Sequence, residues 1–144
     1  MRVIASRISL CSVLLSACGI SAVPDDAPMK LSFEDLPQDY YIHGSSEIAT
    51  RVQQLSGKRV EMAGFLSAWG SEGHLYSYYH RHGCTVSLPG VEGVVRLVFP
   101  PDSNCRAYGE QARLTGVFSV SPTLQDGYCL DIYQMQVEHV ERLE

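Results

Sequence analysis

The alternation of apolar and polar residues after Gly57 is the feature that most constrains this chain. In the segment KRVEMAGFL, Val60 and Met62 share one face of an extended chain. Arg59 and Glu61 occupy the opposite face, and this period of two is typical of a half-buried strand. Similar runs follow between turn-forming segments: HLYSYY, CTVSL, VVRLVF, QARLTGVFSV and YCLDIYQMQVEHV. The pattern predicts a mainly β fold, either a small antiparallel barrel or a sandwich.

One short helix is predicted ahead of these strands. The segment from Ser45 to Gly57 places apolar residues at i, i+4 and i+7 behind a Ser-Ser-Glu capping sequence, and it ends in glycine. Within the first strand, Gly64 stands where a strand bends or where another backbone approaches closely.

The N-terminus has the charged-then-apolar order of a secretory signal. Arg2 and Arg7 accompany an apolar run that ends at residue 17 and is too short to span a bilayer. The run ends in Leu15-Ser16-Ala17-Cys18, which resembles the lipobox of bacterial lipoproteins. This resemblance implies a signal peptide over residues 1–17 and a Cys18 that carries fatty acyl chains such as palmitate. An ordinary signal peptide that is cleaved elsewhere is the alternative.

The part after the leader divides into a tether and one domain. Residues 18–30 include GISAVPDDAPM, a small, polar and proline-containing sequence typical of a flexible tether. Residues 31–144 suffice for a single domain with its own core. Gly19 stands where lipoproteins retained at the inner membrane of enteric bacteria carry an aspartate. The expected location is therefore the outer membrane, facing the periplasm.

The charge of the chain narrows the classes of partner. The formal net charge is −5 at pH 7, and the leader contributes two arginines but no acidic residue. The exported part is therefore more acidic than the whole. Because sequence-independent binding to nucleic acid needs a basic surface, we expect no nucleic-acid partner. The expected partners are the membrane, through the lipid anchor, and an envelope protein, a peptide or a glycan.

Export also determines how the five cysteines are interpreted. Cys11 leaves with the leader and Cys18 is acylated, so three cysteines remain in an oxidising compartment. Cys84 and Cys105 bracket a predicted hairpin, which makes them the candidate disulfide, with Cys129 as the spare thiol. Pairings with Cys129 stay open, because connectivity does not follow from sequence.

Four aromatic residues cluster around one predicted strand: Trp69, Tyr76, Tyr78 and Tyr79. Aromatic planes on such a surface stack on sugars, bases or peptide side chains, so these four are candidate ligand-binding residues. The alternative is packing in the core and across strands, which we expect for about half of them.

The stretch SYYHRHGC raises the hypothesis of a metal site. In a fully extended chain, His80, His82 and Cys84 would share one face, and their side chains are ligands that zinc and copper prefer. A turn at Gly83 would separate them, and Cys84 has a competing role in the disulfide. A metal-handling envelope protein is therefore the alternative function.

The sequence contains few of the motifs that are typical of catalytic sites. It contains no Gly-x-Ser-x-Gly elbow and no phosphate-binding glycine loop, and its scattered carboxylates single out no acid–base pair. Asp126 is interpreted as a turn residue and Asp131 as an outward-facing strand residue. We therefore predict a noncatalytic protein that needs no cofactor, with an envelope hydrolase as a weaker alternative.

The order of the segments resembles known folds. LSGKRVEMAGFL, ARLTGVFSV and GYCLDIYQMQVE together resemble an OB-fold, a five-stranded barrel that binds oligomers on one face. More narrowly, LSFEDL, GKRVEMAGF, Cys84, VVRLVFP, LTGVFSV and DGY resemble a family of bacterial exported proteins described as a domain of unknown function. This resemblance runs from about Leu31 to Glu138. It implies an OB-like barrel that is preceded by one helix, and a location in the cell envelope. The predicted function is therefore a noncatalytic binding or accessory module.

Overall fold

The computed structural model describes residues 27–36 and 50–144. Within these residues it contains eight strands: β1 (Met29–Lys30), β2 (Arg59–Gly70), β3 (Glu72–Tyr76), β4 (His80–His82), β5 (Thr85–Ser87), β6 (Val94–Val98), β7 (Cys105–Gln125) and β8 (Tyr128–Arg142). A short helix, α1, spans Thr50–Gln53, and two single 3-10 turns span Phe33–Asp35 and Val91–Gly93.

Five of the strands close into a ring. β2 pairs with β3, β3 with β6, β6 with β8 and β8 with β7, and β7 returns to pair with β2. These pairs are antiparallel except for β6 and β8, which run parallel. β1 adds to β2 in parallel, and β4 and β5 form a separate hairpin between β3 and β6. The arrangement is an OB-like barrel, which confirms the predicted mainly β fold class.

Apolar side chains from alternate strand positions fill the ring. Val60, Met62 and Leu66 of β2 are buried, as the period of two predicts. The other strands contribute Leu75, Val95, Leu97, Ala107, Leu114, Phe118, Tyr133 and Met135. Because these side chains point inward, the residues between them lie on the outer surface of the barrel, where a ligand can reach them.

Gly64 lies where another part of the backbone approaches β2. A Cβ atom at this position would lie 2.7 Å from the carbonyl oxygen of Tyr76 and 3.1 Å from Cε2 of Phe33. No side chain fits at these distances, which confirms the predicted close approach.

β7 and β8 are longer than the sequence pattern predicts. The pattern predicts β7 over residues 111–120, whereas the strand spans Cys105–Gln125. Its last residues pair with the start of β8 alone and form a two-stranded arm. Asp126 and Gly127 close this arm with φ angles of 51° and 83°, the backbone of a type I′ turn. The prediction of a turn at Asp126 is confirmed.

The helix packs its apolar face on the barrel. Val52 is fully buried and Leu55 packs against the core. Gly57 follows with a φ of 81° and donates its N–H to the carbonyl oxygen of Phe118, 2.7 Å away. This hydrogen bond fixes the point at which the chain enters β2.

The predicted helix cap at residues 45–47, the signal peptide, Cys18 and most of the tether lie outside the described residues. No helix in the described part of the chain is long and apolar enough to cross a membrane.

Candidate functional site

The outer face of β2 carries an exposed indole near the end of the strand. Trp69 pairs with Arg106 of β7 on one side and with Glu72 of β3 on the other. Its neighbour Ala68 is buried, so the Trp69 side chain points away from the core. It is 64% exposed, which makes the ring available to a ligand.

Tyr108 of β7 lies beside this indole on the same face. The two ring centroids are 6.4 Å apart and the ring planes are tilted by 57°, an arrangement that aromatic pairs prefer. Tyr108 is 62% exposed. Two large rings therefore face solvent together on paired strands of the barrel.

The guanidinium group of Arg106 covers part of the Trp69 ring. Its Cζ lies 4.7 Å from the ring centroid, within the range of a cation–π interaction. Arg142 holds the backbone at this point, because its Nη2 donates to the carbonyl oxygen of Arg106 at 2.7 Å. We call the set of Trp69, Arg106 and Tyr108 the aromatic patch.

A row of three rings begins on β3: His74, Tyr76 and Tyr79. His74 and Tyr76 stack with centroids 5.8 Å apart, and Tyr76 lies 6.3 Å from Tyr79. The Tyr79 ring also packs on Gly109 of β7. Tyr79 lies beyond the end of β3, so this contact connects the segment that follows β3 with β7.

Gly109 makes this contact possible. The register between β2 and β7 skips this residue, and its φ of 78° is typical of a glycine in a β-bulge. Because Gly109 has no side chain, the Tyr79 ring rests directly on the backbone next to Tyr108.

The four aromatic residues predicted to bind ligand are distributed over three environments. Trp69 belongs to the aromatic patch, and Tyr76 and Tyr79 belong to the row of rings, where their planes are tilted by 44°. Tyr78 contacts the neighbouring loop, where its hydroxyl donates a hydrogen bond to the carbonyl oxygen of Leu88 at 2.9 Å. Among these four, only Trp69 combines high exposure with an exposed aromatic neighbour.

Sequence reasoning missed Arg106 and Tyr108. Both lie far from Trp69 along the chain and reach it only through the pairing of β2 with β7. The segment RAYGE offered one signal, since an aromatic residue precedes a glycine inside a β-rich region.

An open pocket of about 540 Å³ lies beside the row of rings. Partial burial lowers the pKa of His74, an effect that the nearby Asp131 carboxylate opposes. Burial also raises the pKa of Tyr76, and Tyr79 adds to this shift. Both groups are therefore held in their uncharged forms near neutral pH. The pocket is lined by His74, Tyr76, Leu88, Pro89, Gly90, Val91, Glu92, Val94 and Leu130.

Asp131 is buried, so the prediction that it faces outward is wrong. It is 6% exposed and accepts a hydrogen bond of 2.9 Å from Oγ1 of Thr123. Asp131 lies two residues before Tyr133 and four before Met135, so it shares the inward face of β8 with these buried side chains.

The predicted metal cluster is not formed. His80 and His82 are exposed neighbours on β4, with ring centroids 5.7 Å apart. Gly83 then turns the chain with a φ of 60°, which takes Cys84 off the strand that carries the histidines. Across residues 27–36 and 50–144, no three His, Cys, Asp or Glu side chains are placed to hold a metal ion.

The predicted disulfide is absent as well, because Cys84 and Cys105 are free thiols. Cys84 is exposed in the β4–β5 turn, whereas Cys105 starts β7 opposite Gly70. β6 lies between them in sequence and enters the barrel ring, so they do not bracket a simple hairpin. The thiol of Cys129 donates to the carbonyl oxygen of Asp131 at 3.4 Å, and burial raises its pKa.

Among solved structures, the chain is similar to a DUF3299 family protein from Pseudomonas aeruginosa. The two share 17% sequence identity with a TM-score of 0.58, over 82% of this chain and 97% of that chain. No protein-family model matches the sequence, and no curated protein matches it. At this level of identity the likeness shows a shared fold, and it is consistent with the resemblance to a family of unknown function.

Proposed function

We propose that this protein is a noncatalytic binding module of the bacterial cell envelope and that its ligand is a glycan lying on the aromatic patch. The observation that carries the proposal is the pair of exposed rings, Trp69 and Tyr108, side by side on two paired strands. OB-folds bind oligosaccharides, and aromatic planes suit the apolar faces of sugar rings. Because paired strands hold both rings, little ordering is needed when a ligand binds.

The outer surface has a different character at the start of β2 and in the part of β7 that pairs with it, away from the aromatic patch. Ion pairs occupy it, with Arg59 to Glu138 at 2.7 Å and Arg113 to Glu141 at 2.8 Å. Exposed pairs of this kind are common on solvated surfaces and contribute little to stability. The contrast favours the aromatic patch as the ligand-binding surface.

We also propose that the module is tethered to the outer membrane and faces the periplasm. The leader that ends in Leu15-Ser16-Ala17-Cys18 supports a lipid anchor on Cys18. Cells grown with labelled palmitate should yield a labelled protein, and the Cys18→Ala variant should carry no label. Undiminished label in that variant would contradict the anchor.

Trp69 is the single tryptophan of the chain, so intrinsic tryptophan fluorescence reports directly on the patch. The full-length protein in mild detergent is titrated with a β-1,4-linked N-acetylglucosamine tetramer. We expect a saturable change in emission. Replacing Tyr108 by alanine should weaken binding about tenfold, because stacking on one aromatic ring contributes roughly 1–3 kcal/mol.

The matched control is Tyr128→Ala. Tyr128 is 74% exposed at the tip of the β7–β8 arm and lies outside the patch. This variant should bind as tightly as the unmodified protein. An unchanged affinity in Tyr108→Ala, or the absence of any saturable signal, would contradict the proposed function.

A further inference from the structure

We infer that the aromatic patch selects glycans that carry a carboxylate and that Arg106 binds this group. The inference rests on the proposed glycan-binding function and adds the charge of the ligand to it. It also gives the patch a polar recognition element beside its two rings.

Arg106 differs from other arginines of the barrel strands in the kind of group that its guanidinium contacts. Within the described residues, its guanidinium has no carboxylate partner and no hydrogen-bond acceptor, and its contact is with the face of Trp69. Four other arginines of the barrel strands form salt bridges: Arg59, Arg96, Arg113 and Arg142.

The other charges near the patch are already paired. Arg142 pairs with Glu110 at 2.9 Å, and Arg96 pairs with Glu72 at 3.7 Å. The uncompensated charge at the patch is therefore the positive charge of Arg106. Charges separated by more than about 8 Å are largely screened at physiological salt. A ligand on the patch is therefore influenced more by the charge of Arg106 than by the negative net charge of the whole chain.

The geometry around Arg106 suits a carboxylate. The guanidinium lies over the indole, with its Cζ 4.7 Å from the ring centroid, and within the described residues no acceptor binds its N–H groups. A guanidinium of this kind binds a carboxylate through two parallel hydrogen bonds. A sugar ring placed on Trp69 or Tyr108 brings a carboxylate substituent on that ring to the edge of Arg106.

Two tetrasaccharides test this inference. One is the neutral β-1,4-linked N-acetylglucosamine tetramer, and the other alternates N-acetylglucosamine with N-acetylmuramic acid, which adds lactyl carboxylates to the same backbone. Titrations followed by Trp69 fluorescence should show that the full-length protein binds the acidic tetramer about fivefold more tightly, the upper range for an exposed ion pair. The preference should shrink as sodium chloride is added.

Substitutions at Arg106 assign the preference to this side chain. Arg106→Gln should bring the ratio of the two affinities close to one, and Arg106→Lys should retain part of the preference through its charge. Arg81→Gln is the control, because Arg81 is an exposed arginine of β4 outside the patch. This variant should keep the full ratio.

The possible failures are distinguishable. Equal affinities for the two tetramers in the unmodified protein, or a preference that survives in Arg106→Gln, would overturn the role of Arg106 and leave glycan binding intact. If neither tetramer binds, the proposed function itself is overturned.

Discussion

The Tyr79 ring packs on the backbone of Gly109, although Tyr79 follows β3 and Gly109 belongs to β7. The segment that follows β3 therefore contacts β7, although β2 lies between β3 and β7 in the ring. The contact brings the row of rings to the part of β7 that carries the aromatic patch, because Tyr108 immediately precedes Gly109. The surface around Trp69 therefore depends on a residue that has no side chain.

We expect Gly109→Ala to lower the free energy of unfolding by about 2–4 kcal/mol, because a methyl group would collide with the Tyr79 ring and a φ of 78° disfavours alanine. Gly127→Ala is the control, since Gly127 has a φ of 83° but no atom within 4 Å of an added Cβ. It should lose only about 1 kcal/mol. Urea unfolding measures both, and equal losses would argue against the ring contact.

The hydrogen bond from Thr123 to Asp131 should contribute measurably to stability. Thr123→Val removes a partner of a buried carboxylate, so we expect a loss of about 1–2 kcal/mol in urea unfolding. Thr85→Val is the matched control, because the Thr85 hydroxyl donates to the carbonyl oxygen of His82 in an exposed hairpin. That variant should change stability by less than about 0.5 kcal/mol.

Stability should fall on acidification partly because of His74. Burial holds the pKa of this imidazole below its ordinary value of 6.5 in the folded protein. As the pH drops below 6.5, the unfolded chain takes up a proton that folded His74 resists, so folding is disfavoured until the folded pKa is also passed. The charged neighbours Asp131, Glu72 and Arg96 modulate this shift.

The His74→Gln variant should show a smaller loss of unfolding free energy between pH 7 and pH 5 than the unmodified protein. His139→Gln, which changes an exposed histidine, should follow the unmodified profile. Superimposable profiles for all three proteins would show that His74 has no such effect.

The cysteines of the domain should all be alkylated without prior reduction once the protein is unfolded. Peptide mapping by mass spectrometry identifies Cys84, Cys105 and Cys129 individually. In the folded protein, Cys84 should react first because it is exposed. Cys129 should react slowly, because burial raises its pKa and the thiolate is the reactive form. A peptide pair linked through Cys84 and Cys105 would restore the disulfide that the sequence predicted.

Local sequence patterns predicted much of the fold. The period of two around Val60 and Met62 identifies a strand by itself, because successive side chains of any strand point to opposite faces. The Asp126-Gly127 turn and the close approach at Gly64 were predictable for a similar reason, since each depends on the residue type at one position. Of the three residues in the aromatic patch, only Trp69 was predicted from the sequence.

The sequence by itself therefore determined the mainly β class and an aromatic residue available for binding. Only the tertiary structure decided which residues stand beside that ring. Arg106 and Tyr108 meet Trp69 because β7 pairs with β2, and their register depends on the bulge at Gly109. Register depends on contacts between distant segments, and a shift of one residue moves every side chain to the other face. Likewise, only the structure shows which face of β8 points inward. Asp131 shares that face with the buried Tyr133, because side chains two residues apart on a strand point the same way.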